Sequence, residues 1–271
     1  MTTEQFEFFR AWFDDYTTGF MAESIDKTEM INLKYQHTRR VCQEMEMLCS
    51  QLNLPQSDAL MAKTMALFHD VGRYEQYQQY QTFLDMKSVN HAELGIQILI
   101  QKDVLKNLKK NQQQLILSAI NFHNRKQLPP NQSDKTLFFA KLLRDADKLD
   151  IWRMVIDYYY RQGDETNGAI ELGLPDTPDI SDGAINNLLN QKIVELEHVK
   201  NTNDFKLLQI GWVYDINFLP ALMAVQQRGY LEKIFDKLPE LDSLNNVRQA
   251  VLSYLSHKIA QKKSNDKITA G

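Results

Sequence analysis

Residues 28–53 repeat apolar side chains at helical spacing: Ile31, Tyr35, Thr38, Val41 with Cys42, Met45, Leu48 with Cys49, and Leu52. A stripe of that period and length cannot alternate as a strand does, so it demands a long helix with one buried face. The rest of the chain agrees. Ten glycines and seven prolines in 271 residues are too few for the many turns of a sandwich or barrel. No stretch alternates convincingly as a strand would, so the expected fold class is all-α. With 43% hydrophobic and 24% charged residues, the chain has the composition of a soluble globular protein and enough length to bury a sizeable core.

Further helices are expected over 4–20, with an aromatic face, and from Ser57 or Asp58 to about Phe68. Residues 71–89 read as loop with a short helix at most. At SVNHAELG the start signals are clearest: Asn90 as N-cap, Glu93 for a capping box, and Val89 with Leu94 for a hydrophobic staple. This makes His91 the first residue of a helix reaching about Leu105. Others are expected at about 112–124 and 134–160. Residues 162–182, rich in Gly, Asp and Pro, read as the longest irregular segment, a lid or a surface loop. Helices resume at 183–199, 216–236 and 244–262. The expected division is an N-terminal helix (1–27), a core (28–160), a C-terminal helical part of the same domain (161–262) and a disordered tail (263–271).

Four of the six histidines lie on or beside apolar stripes: His37 before Val41, His69 after Met65, His91 at a helix start, and His123 after Ala119. Asp70 follows His69 directly. Asp147 occupies the row Ala140, Leu143, Ile151, Met154, where a core residue belongs. An ionised carboxylate there is costly unless a positive partner compensates it. No Lys or Arg shares the row, and a metal ion is the economical explanation. Nitrogen and oxygen donors without thiolate suit one or two divalent ions among Mn, Fe, Co, Mg and Zn. A single carboxylate such as Asp70 can bridge two of them. His198 and His257 lie among charged neighbours and read as ordinary surface histidines.

The order H…HD…H…H…D resembles the HD-domain superfamily of metal-dependent phosphohydrolases, with His37, His69-Asp70, His91, His123 and Asp147 in the ligand positions. The local contexts LFHDVGR, NHAELGIQIL, ILSAINFHN and RDADKLD resemble it too. The resemblance covers about residues 30–160. It implies an HD-domain helical bundle with additional C-terminal helices. It also implies a first metal on His37, His69, Asp70 and Asp147, and a second that adds His91 and His123. Asp70 and His69 would be catalytic, with Asp70 bridging the ions or orienting the attacking water. Asp147, not Asp145, takes the ligand place, leaving Asp145 solvated or behind the ligands. Arg73, Lys148 and Arg125 are candidates to hold phosphate oxygens.

The implied activity is hydrolysis of a phosphate ester, a nucleotide or small phosphorylated metabolite, by a metal-activated water. Residues after His123 read NRKQLPPNQ, without the Gly-Tyr-Pro motif of cyclic-dinucleotide phosphodiesterases of this superfamily. The residues that a (p)ppGpp hydrolase would show are not evident. Two other readings share the ligand set: an HD-fold di-iron oxygenase, and a non-catalytic metal- or nucleotide-binding regulatory module. A formal charge of −4 offers no footprint for a nucleic-acid polymer. No apolar run approaches the roughly 20 residues that span a bilayer. The N-terminus lacks a basic region before its aromatics, and Cys42 and Cys49 read as reduced, so a cytoplasmic protein is expected.

Overall fold

The computed structural model describes residues 1–20, 25–161 and 171–269. Every regular element among them is an α-helix or a short 3-10 turn, so the fold class is all-α. By internal contacts the chain divides into Met1–Asp150 and Ile151–Gly271.

The first unit contains α1 (Thr3–Thr18), α2 (Ile25–Gln51), α3 (Gln56–Phe68), α4 (Gly72–Tyr80), α5 (His91–Gln101) and α6 (Lys110–His123). It also takes α7 (Asp134–Tyr159) as far as Asp150. Thr2 and Gln5 close a reciprocal capping box at the start of α1. The aromatic face of α1 is buried, with Phe9 edge-on to Phe68 at 5.7 Å and Phe13 edge-on to Tyr74 at 5.9 Å. Ring pairs of this geometry add to the burial of their area. The stripe on α2 buries Ile31, Val41, Met45, Leu48 and Cys49, and α2 packs extensively on α3. Phe139, Ala140, Leu142, Leu143, Ala146 and Leu149 of α7 are all buried. They lie on more than one side of the helix, which therefore runs through the core rather than over it.

Residues 71–89, expected to be mostly loop, hold a nine-residue helix, α4, and a 3-10 turn at Asp85–Lys87. The sequence GRYEQYQQY hides its helix because it buries only Gly72, Tyr74 and Gln76. α5 starts at His91 as expected, with the Asn90 side chain accepting from the amides of Ala92 and Glu93.

The second unit continues α7 from Ile151 and adds α8 (Asp182–Leu189), α9 (Thr202–Gly211), α10 (Leu219–Gln227), α11 (Tyr230–Phe235) and α12 (Asp242–Thr269). Its core surrounds Trp152, whose indole N–H donates to the Gln209 carbonyl at 2.9 Å. Trp212 and Tyr230 lie about its ring, at 6.2 and 6.1 Å between centroids.

Several expected helices here change shape. The helix expected over 183–199 ends at Leu189, and Gln191 turns the chain at φ 55°. That over 216–236 is broken at Gly229, whose φ of 62° suits glycine. The last continues past 262 to Thr269. α9 was not expected at all. Its Thr202, Asn203, Asp204 and Gln209 are polar yet buried, so the apolar stripe that would announce it is interrupted.

Thr202, Asn203 and Asp204 have partners in the segment before α8, while Gln209 accepts from Tyr159. Of the irregular stretch 162–182, residues 162–170 lie outside the described residues. Pro175–Ser181 is fastened to the start of α9. Asp204 accepts from Ser181 N at 2.8 Å, Ser181 Oγ at 2.7 Å and Lys200 N at 3.0 Å. Asn201 donates to Thr177 Oγ1 and the Asp179 carbonyl, and Thr202 Oγ1 donates to Asp176.

Candidate metal centre

Six side chains converge within the first unit from five helices and one connecting turn. His37 comes from α2, His69 caps the end of α3, and Asp70 follows it in the turn to α4. His91 opens α5, His123 closes α6, and Asp147 projects from α7. All but Asp147 are buried, and the Asp147 side chain keeps 15% of its surface exposed.

Their inward atoms form two groups. In one, His37 Nε2 lies 3.2 Å from His69 Nε2, 3.2 Å from Asp147 Oδ1 and 3.6 Å from Asp70 Oδ2. In the other, His91 Nε2 lies 3.1 Å from His123 Nε2 and 3.2 Å from Asp70 Oδ1. Asp70 therefore turns one carboxylate oxygen to each group. His69 and His123, with ring centroids 5.2 Å apart, join the two into one cluster.

The outer nitrogen of every ring is committed. His69 Nδ1 donates to the Ala66 carbonyl at 2.8 Å, and His123 Nδ1 to the Ile120 carbonyl at 2.7 Å. His37 Nδ1 donates to Asp150 at 2.7 Å, and His91 Nδ1 to Asp85 at 2.7 Å. A carbonyl or carboxylate only accepts, so a proton sits on each Nδ1, and a ring in its neutral form points a lone pair inward. Two such lone pairs about 3.1 Å apart repel unless a cation lies between or beside them. Asp147 Oδ1 is also buried with no hydrogen-bond partner among the described residues. A donor set of this kind fits divalent metal ions.

Burial and neighbouring charges act differently on the members of the cluster. Burial pushes His123 down to about 3, reinforced by His91 and His69, and lowers His91 with help from Arg73. Both shifts favour the neutral ring. His37 differs: burial lowers it, but Asp147 and Asp150 outweigh that and raise it. Burial opposes ionisation of Asp70, yet Lys34, His69, Arg73 and His91 hold its carboxyl well below the usual range. Asp147 is likewise held well below, against burial, by His37 and His69.

Of the candidate phosphate-holding residues, Arg73 lies 3.5 Å from Asp70 through Nε. Its Nη1 is engaged by the Phe83 carbonyl at 2.5 Å, Asp85 at 2.8 Å and Gln76 at 2.9 Å. Lys148 is buried. Arg125, just beyond α6, is exposed and folds back on that helix, with Nε donating to the Asn121 carbonyl at 3.2 Å. Asp145 is fully buried, which removes the solvated reading of it. The aromatic run at Trp212 belongs to the packing around Trp152, and Tyr214 donates to the Leu188 carbonyl.

Four neighbours of the centre escaped the sequence reading. Asp150 orients His37 and is itself gripped by Arg40, with Nε at 2.6 Å and Nη2 at 3.1 Å. A signal existed: Arg40 is three residues after His37, and Asp150 three after Asp147, so each shares a helix face with that member of the cluster. Lys34, one turn before His37, places its ammonium 2.9 Å from Asp70 Oδ2. Asp85, in the 3-10 turn, had no signal.

Residues 35–152 match the family model described as HD domain, and the match encloses all six residues. No curated protein and no solved structure matches the chain.

Proposed function

Residues 35–152 are an HD domain, and on that premise we propose that this chain is a metal-dependent phosphohydrolase cleaving the phosphate ester of a nucleotide or another small phosphorylated metabolite. The observation that carries the reading is the split of Asp70, one oxygen toward His37 and His69 and the other toward His91 and His123. A bridging carboxylate between two histidine groups is how a protein holds two cations side by side.

His37, His69, Asp70 and Asp147 would hold one divalent ion, and Asp70, His91 and His123 a second. Such ions lower the pKa of water toward neutrality and neutralise charge gathering on phosphoryl oxygens. The chain's own part is to fix those donors. Each Nδ1 bond locks a ring, so little reorganisation is needed when substrate arrives. Lys34, with 17% of its side chain exposed, adds a cation at the edge of the cluster beside Asp70. It would favour an anionic substrate. Cys42 and Cys49 are unpaired thiols, which accords with a cytoplasmic setting.

The test is a panel of phosphomonoesters, phosphodiesters and nucleotides, assayed with Mn, Co, Mg or Fe against wild type and Asp70→Asn. Metal-dependent turnover that disappears in the variant supports the reading and names the substrate class. Silence across the panel with metal bound would reject it, and oxygen uptake by the iron-loaded chain would then favour the oxygenase.

A further inference from the structure

Both histidine groups are backed by the same device, a carboxylate behind a ring and an arginine behind the carboxylate. For His37 the chain is Asp150 and Arg40, and Asp150 is wholly buried on a long helix. For His91 it is Asp85 and Arg73, but Asp85 sits in a 3-10 turn with 30% of its side chain exposed. The next residue, Met86, is 92% exposed.

Asp85 collects four donors. Its Oδ2 accepts from His91 Nδ1 at 2.7 Å and from Asn124 Nδ2 at 3.3 Å. Its Oδ1 accepts from Arg73 Nη1 at 2.8 Å and Gln76 Nε2 at 2.9 Å. Asn124 directly follows His123 and also donates to Asn90, the residue before His91, at 3.1 Å. One carboxylate thus ties together the places where α5 begins and α6 ends. Those two ends carry the histidines of the second group.

α4 holds the turn in position. Arg73 donates to the Phe83 carbonyl, and Gln76 donates to Ser88 Oγ and the Val89 carbonyl, both at 2.9 Å. The contacts of Asp85 run to His91 and Asn124 and to α4, while His37 and His69 are oriented by Asp150 and the Ala66 carbonyl.

We propose that Asp85 is the positioning residue for the second metal ion, so that occupancy of that ion alone depends on the turn carrying it. The inference rests on the two-ion reading above. Asp85 fixes the tautomer and angle of His91 and, being anionic, makes the ring a stronger donor toward a cation. Its partial exposure makes this the weaker anchored half of the centre. The first ion's donors have their own buried support.

The experiment is titration of the metal-free full-length chain with Mn(II), followed by calorimetry and EPR, for wild type, Asp85→Ala and Asp85→Asn. Wild type should take up two ions and give the EPR signature of a coupled pair. Asp85→Ala should keep the first ion at wild-type affinity, which also certifies that the centre is folded. Its second site should weaken about 10- to 100-fold, with the spectrum of an isolated ion at matched loading. Asp85→Asn, which keeps an acceptor for the Nδ1 proton but not the charge, should fall between. If Asp85→Ala binds both ions as wild type does, or weakens both alike, the inference is overturned. A wild-type chain that takes up fewer than two ions instead overturns the two-ion reading, and the inference with it.

Discussion

Gly72 lies against the backbone of His91: a Cβ built on Gly72 would collide with the His91 carbonyl oxygen and sit 2.6 Å from Gly95 N. Two glycines facing one another let α4 and α5 approach until His91 reaches Asp70. Gly72→Ala should therefore destabilise the protein by about 1–3 kcal/mol, the usual cost of overpacking a tight contact. It should also weaken the second metal ion more than the first. Thermal unfolding and metal titration check both. A variant of unchanged stability would contradict the close approach.

Proton and metal compete for His37, and the two forms of the protein should respond to pH in opposite senses. With no metal, a raised His37 pKa contributes stability that is complete below the unfolded value near 6.5. That contribution is lost as pH rises through the folded pKa. With metal, the ring must be neutral, so affinity falls as pH drops below the folded pKa, by about tenfold per unit for the proton displaced. Melting curves over pH 5.5–8.5 with chelator and with Mn(II), roughly spanning that range, should lie close together at the acid end and separate as pH rises. Parallel curves would rule out His37 as a ligand.

Chelation should lower the melting temperature of the loaded protein. An ion present at about 100 times its dissociation constant stabilises by about 2.7 kcal/mol if it does not bind the unfolded chain. The measurement is differential scanning calorimetry before and after EDTA, with Mn(II) added back. No shift would mean the inward lone pairs are met by protons alone.

In the second unit, Asp204→Ala should cost about 3 kcal/mol, because three donors lose a buried carboxylate at once. It should also release Pro175–Ser181 to proteolysis. Urea unfolding and limited digestion read the two effects. Loss of neither would mean the segment is held by other contacts.

The thiols offer a simple check on packing. Burial pushes Cys42 up to about 12 and Cys49 up to about 11. Native protein at pH 8 should resist alkylation that goes to completion in denaturant, as read by mass spectrometry.

Much of this protein was legible in one dimension wherever a residue's burial and its chemistry disagreed. His37, His69, His123 and Asp147 stood out because each interrupts an apolar stripe, and a polar group in such a place has to be answered by something. α1, α2, α5 and α7 were legible for the complementary reason, since their stripes or caps repeat locally. α9 was not, because its buried Asn203 and Asp204 are satisfied by a segment more than 20 residues earlier. Nothing nearby in the chain records that partnership.

The sequence by itself determined the helical class and singled out the six candidate donors and their order, because periodicity and hydrogen-bonding chemistry are properties of residues and their near neighbours. Only the tertiary structure decided which donor faces which, that Asp70 divides its oxygens between two histidine pairs, and that Asp85, Arg73, Asp150 and Lys34 stand behind them. Those relationships join residues 36 and 113 positions apart, as Lys34 with Asp70 and His37 with Asp150 do. Long-range pairing is set by how helix faces and glycine contacts fit in three dimensions, and no local pattern encodes that fit.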